Sequence, residues 1–85
     1  MEEVNGKLIG RVTHYFDNLQ VAVVELDSAL KKGDTIRIVG GDTDFEQPVE
    51  SMQVDHKEVD SAKKGSEVGM KVSQKVRDGY RVYKI

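Results

Sequence analysis

The sequence predicts an all-β fold, a small six-stranded closed β-barrel in a single domain over residues 1–85, on three observations. Apolar and polar residues alternate with period two in several short runs rich in valine, isoleucine and aromatics, the pattern of half-buried strands. Two near-matching segments, Ser28-Ala29-Leu30-Lys31-Lys32-Gly33-Asp34 and Ser61-Ala62-Lys63-Lys64-Gly65-Ser66, each run through Lys-Lys-Gly into such a strand, some thirty residues apart. No segment longer than two turns carries helical periodicity. Closing the sheet removes the bare edges that a small domain tolerates poorly.

Residues 1–6 (Met1-Glu2-Glu3-Val4-Asn5-Gly6) read as a flexible, acidic N-terminus, opposite in character to a signal peptide. Lys7 to Phe16 is the first strand, with Leu8, Gly10, Val12, His14 and Phe16 on one face and Ile9, Arg11, Thr13 and Tyr15 on the other. Asp17-Asn18 supplies the turn, because both side chains bond nearby backbone and tolerate left-handed geometry. Gln20 to Leu26 pairs back as the second strand. Asp27 to Lys32 is polar, a turn or one loose helical turn ended by Gly33. Thr35 to Val39 is the third strand, with Ile36 and Ile38 on the core side, and Gly40 to Asp44 is a loop. Phe45 to Asp55 is the fourth strand, interrupted by Pro48, which donates nothing to a ladder. The change of parity between Val49 and Met52 predicts a bulge. His56 to Gly65 is the second turn region, and Glu67 to Ser73 is the fifth strand, with Val68, Met70 and Val72 inward. Asp78-Gly79 turns the chain, and Tyr80 to Lys84 is the last strand.

Eighty-five residues suit one small core. With no cysteine there is neither a disulfide nor a thiolate metal site. The longest nearly uncharged apolar run, Leu19 to Val24, is too short to cross a membrane, so a cytoplasmic protein without membrane contact is expected. Charge is unevenly distributed. Residues 1–60 hold 13 Asp and Glu against 6 Lys and Arg, whereas residues 61–85 hold 7 Lys and Arg against 2 acids. A basic tail within an acidic chain reads either as a solvated surface on which folding mixes both signs or as the part that meets an anionic partner.

The order Gly10-Arg11-Val12, Val21 to Leu26, Leu30-Lys31-Lys32-Gly33-Asp34-Thr35-Ile36, Val49 to Val54, and Ala62-Lys63-Lys64-Gly65-Ser66-Glu67-Val68-Gly69 resembles domain 2 of the translational GTPases. This is the barrel that follows the GTPase domain in elongation factor Tu and initiation factor 2. The resemblance spans residues 8–85, and a similar barrel closes the collagenase-like peptidases that act in RNA modification. It implies a translation-factor-like binding module that contacts RNA, the ribosome, or a translation or RNA-modification factor. In such barrels the two glycine turns reverse the backbone before a core strand, and Gly69 would mark a close approach or a bend. The chain has no phosphate-binding loop and no guanine-recognition motif, so no GTP binding is expected. Ser73-Gln74-Lys75 stands where elongation factors commonly carry Arg-Gly, and no binding residue of that family is carried over.

For RNA contact the candidates are Lys63, Lys64, Lys71, Lys75, Arg77, Arg81 and Lys84 for phosphates, with Tyr80 and Tyr83 for base stacking. His14, on the apolar face with Val12 and Phe16, reads as a packed or end-of-strand histidine. His56, within Asp55-His56-Lys57-Glu58, reads as a solvated turn residue, because nothing fixes a ligand geometry there. Asp42-Thr43-Asp44-Phe45-Glu46 lacks the glycine and the twelfth-position glutamate of a calcium loop. The serines carry no nucleophile signature. No catalytic, cofactor-binding or metal-binding residue is assigned, and the chain is expected not to be an enzyme. The alternative to RNA contact is a protein–protein adaptor, a detached accessory subunit of a separate enzyme. Scattered tail charges would favour it.

Overall fold

A computed structural model describes residues 6–85; of the N-terminal segment expected to be flexible, residues 1–5 lie outside the described residues. The described chain is all-β. Its strands are β1 (Lys7–Phe16), β2 (Val21–Leu26), β3 (Leu30–Lys31), β4 (Thr35–Gly40), β5 (Thr43–Pro48), β6 (Met52–Val54), β7 (Lys57–Val59), β8 (Ser61–Ala62), β9 (Glu67–Lys71) and β10 (Arg81–Lys84). Eight of them form one sheet in the order β5-β4-β10-β1-β2-β9-β6-β7, and β3 pairs with β8. Each of the six expected strands recurs, with the fourth divided. Pro48 ends β5, and Val49 leaves the sheet to bond a turn before β6 begins. The loose helical turn expected between Asp27 and Lys32 is instead the short strand β3.

The backbone ladder of the described residues runs open from β5 to β7. Gln47 of β5 spans the gap to the end of β9. Its Nε2 donates to the Lys71 carbonyl and its Oε1 accepts the Ser73 N–H, both at 2.8 Å. A side-chain amide here plays the part that a peptide group plays in a ladder.

One turn design appears three times. Asp34 N–H bonds Lys31 C=O, Ser66 N–H bonds Lys63 C=O, and Tyr80 N–H bonds Arg77 C=O. The glycine at the third position has φ of +96° at Gly33, +90° at Gly65 and +91° at Gly79, as a type II turn requires. Each turn then brackets one core residue by two backbone bonds. Gly33 N–H and Asp34 C=O hold Val49; Gly65 N–H and Ser66 C=O hold Leu26; Gly79 N–H and Tyr80 C=O hold Val12. All three bracketed side chains are buried, so each turn starts a strand and anchors the core in one step.

Parity along β1 differs from simple alternation. The register slips between Leu8 and Gly10 against β10, and again between Val12 and His14 against β2. Each slip is a bulge that shifts the following side chains to the opposite face. Ile9 and Val12 are therefore buried, whereas Leu8, His14 and Phe16, expected on the core face, are exposed. His14 packs its ring edge-on to Phe16 at 4.4 Å, outside the core. The remaining core follows the alternation: Ile36, Ile38, Val68, Met70 and Val72 face inward as expected, and no polar side chain among the described residues is buried.

Three glycines sit where a side chain has no room, the first being Gly6, where a Cβ would run into the Lys84 carbonyl. A Cβ on Gly10 would run into the Glu25 carbonyl, and one on Gly40 would enter the Tyr80 ring. Gly69 is not such a place, because a Cβ there would only touch Val21 at 3.4 Å.

Candidate functional site

With every buried position among the described residues apolar, their polar chemistry lies on the outward sheet face and in shallow grooves beside it. Direct cross-strand partners point to the same side, so pairing maps the outward face of β4, β10 and β1. One row runs Arg37, Tyr83, Leu8; the next runs Val39, Arg81, Arg11 and continues to Glu25 of β2. Ile85 follows two residues after Tyr83 and ties its N–H to the Thr35 carbonyl.

Two of the three arginines on this face are held by neighbours. Arg37 grips Asp44 through two hydrogen bonds, Nε to Oδ1 at 2.7 Å and Nη2 to Oδ2 at 2.6 Å. The bond from Arg37 holds the Asp44 carboxyl below the usual aspartate range, and the guanidinium charge adds to this. Arg11 meets Glu25 at 3.3 Å. Arg81 lies between these two pairs on the central strand and forms no ion pair among the described residues.

The sequence-predicted RNA residues fall in several places rather than in one. Lys63 and Lys64 lie on the turn that holds Leu26. Lys71 ends β9 in a cleft of about 380 Å³ with Gln20, Gln47 and Glu50. Lys75 and Arg77 share a groove of about 320 Å³ with His14, Tyr15 and Asp17, under the overhanging end of β1. Arg81 and Tyr83 stand on the outward face of β10, while Lys84 pairs with Asp34 at 3.5 Å. Tyr80 packs partly buried against the core, over Gly40 and Gly41. β1 and β2 separate β9 from β10 in the sheet, so Lys71 and Arg81 are three strands apart.

His56 lies in the two-residue link between β6 and β7, remote from any ligand set. Among the described residues no group of three His, Cys, Asp or Glu side chains is placed to hold a metal ion. No helix among them is long and apolar enough to cross a membrane. Sequence reasoning missed Leu8 and Ile85 as surface residues, Leu8 because its exposure depends on the bulge at Ile9. It also missed Arg11 and Arg37 as neighbours of Arg81, because that relation depends on the order of β4, β10 and β1.

No family model matches the chain. It is 50% identical over 76 residues to an uncharacterized protease of Methanocaldococcus jannaschii; the match covers 88% of this chain and 19% of that protein. The chain thus spans about a fifth of the length of the curated relative it matches. Two crystal structures of the C-terminal domain of a Geobacillus thermoleovorans protein described as a U32 peptidase share the fold. Their TM-scores are 0.88 and 0.87 at 22% and 20% identity, covering 92% and 100% of this chain and 99% of each of theirs. Of the two barrels that the sequence resembles, the one at the C-terminus of peptidases is what these similarities fit; the elongation-factor barrel is not.

Proposed function

We propose that the chain is a non-catalytic accessory module that supplies this β-domain to a separate, larger U32-peptidase-like chain. The observation that carries the reading is the match at 50% identity to a segment making up only 19% of a longer protein described as a protease. A segment used elsewhere as one part of a larger chain is suited to act by contact with the rest of such a chain. The fold shared with a C-terminal domain supports the same reading, as does the spread of the tail cations over several places, which favours an adaptor over a phosphate-binding face. The module acts as a closed barrel, with Gln47 sealing β5 to β9.

Purification of the tagged chain from its native cells, with identification of both protein and RNA, tests this. A U32-peptidase-like chain should copurify in near-stoichiometric yield and survive ribonuclease. Recovery of tRNA or ribosomal components without such a chain overturns the reading.

A further inference from the structure

We infer that the outward face of β10 and its neighbours, centred on Leu8, Tyr83, Ile85 and Arg81, is the surface that docks on the body of the larger chain. The inference rests on the accessory-module reading and adds to it the surface and the chemistry of the partner.

Three observations converge on this face. Leu8 and Ile85 are each 46% exposed, two large apolar side chains flanking Tyr83, whose outward ring lies directly across the sheet from Leu8. An aromatic bordered by aliphatics is the usual centre of a protein contact. The second observation is electrostatic. Arg11 and Arg37 are neutralised by Glu25 and Asp44, while Arg81 between them forms no ion pair among the described residues. Among the described residues the face therefore offers one guanidinium outside any ion pair beside an apolar cluster, and a matching surface carries apolar side chains with a carboxylate to receive Arg81.

The third observation concerns connection. A domain that follows a larger body in one chain is joined to it at its first strand. Here the first residue of β1, Lys7, pairs with Lys84 of β10, next to Leu8 and Ile85. A body tethered at that point starts beside this face. A separately made body finds the same surface when the domain is supplied as its own chain. The hairpin tip also exposes Phe16 and Leu19, at 45% and 64%. It lies eight residues further along β1, roughly 25 Å from Leu8 at strand spacing, at the end of the strand away from that junction.

Hydroxyl-radical footprinting of the chain, alone and in the copurified complex, tests the surface. Oxidation of Leu8, Tyr83 and Ile85 should fall severalfold in the complex while Phe16 and Leu19 keep their reactivity. Leu8→Asp and Arg81→Glu, both at exposed positions, should each weaken the complex on the order of tenfold with the circular dichroism of the free chain unchanged. Leu19→Asp should bind as the unaltered chain does. A stable complex in which the hairpin tip is protected and the Leu8 face is not overturns the surface and leaves the accessory-module reading standing. Failure to isolate any such complex overturns that reading and the surface with it. A free chain that dimerises through Leu8 and Tyr83, or a face protected only by RNA, overturns the choice of partner.

Discussion

Leu30 sits directly opposite Ala62 in the β3–β8 pair, and the two residues hold the same place in the twin Lys-Lys-Gly segments. Antiparallel pairing of equivalent positions relates the two segments by a local two-fold axis. The hydrogen bonds agree: one turn brackets Val49 and the other Leu26, with the same donor and acceptor positions. The repeat in the sequence is therefore a contact in the structure.

Equivalence predicts equal cost. A Cβ at Gly33 or Gly65 would meet no heavy atom within 4 Å, so only the positive φ opposes alanine at either position. Gly33→Ala and Gly65→Ala should each destabilise by about 1–2 kcal/mol, within error of one another, as read from urea denaturation midpoints. Gly40→Ala acts through a different cause, because its methyl enters the Tyr80 ring. It should cost about 1–3 kcal/mol and change the tyrosine fluorescence, which the turn variants leave alone. Unequal turn variants would argue against the two-fold relation.

Gln47 carries the next prediction. Gln47→Ala removes a donor to Lys71 C=O and an acceptor for Ser73 N–H at a half-buried place. Water replaces part of both bonds, so the expected loss is about 1–2 kcal/mol, with faster amide exchange at Ser73. Gln47→Glu keeps the acceptor but sets a carboxylate against the Lys71 carbonyl, and should recover protection at Ser73 without recovering full stability. An alanine variant as stable as the parent would show that the sheet needs no link between β5 and β9.

What was legible in the sequence is what depends on local rules. Alternation located each main strand, and Lys-Lys-Gly and Asp-Gly located the three turns, because a positive φ is a property of one residue. The inward sets of β4 and β9 followed from period two alone. The faces of β1 did not, because each bulge is decided by the partner strand: Ile9 is extra relative to β10 and the slip near Thr13 is relative to β2. The same limit hid the docking face. Arg81 lies beside Arg11 only because β10 inserts between β4 and β1, a long-range pairing that leaves no local trace in the sequence. Gln47 was likewise silent, since its partners lie 24 and 26 residues away.

A further prediction concerns the β6–β7 hairpin. Asp55 and His56 link the strands with φ of +53° and +65°, the two left-handed positions of a type I′ turn. Aspartate tolerates the first, but histidine at the second bears a strain that glycine would not. His56→Gly should therefore stabilise the domain, by about 0.5–1 kcal/mol after the added freedom of the unfolded chain is counted. Thermal melting measures it, and a lower melting temperature would argue against this backbone geometry.

The pH dependence of the outward face follows from Arg37 and Asp44. The hydrogen bonds from Arg37 lower the Asp44 carboxyl below its ordinary 3.8 in the folded state. A group whose folded pKa is depressed adds stability that is fully present above the unfolded value and is lost as pH falls through the folded one. The contribution of Asp44 should thus hold at neutral pH and fade below the ordinary aspartate value. Because the pair is exposed, the effect is small and screened by salt. Carbon-detected titration of the Asp44 carboxyl should give a midpoint below that of a free aspartate, and Arg37→Gln should return it to the usual range. A midpoint already at the free value in the unaltered protein would mean that Arg37 does not hold Asp44 in solution.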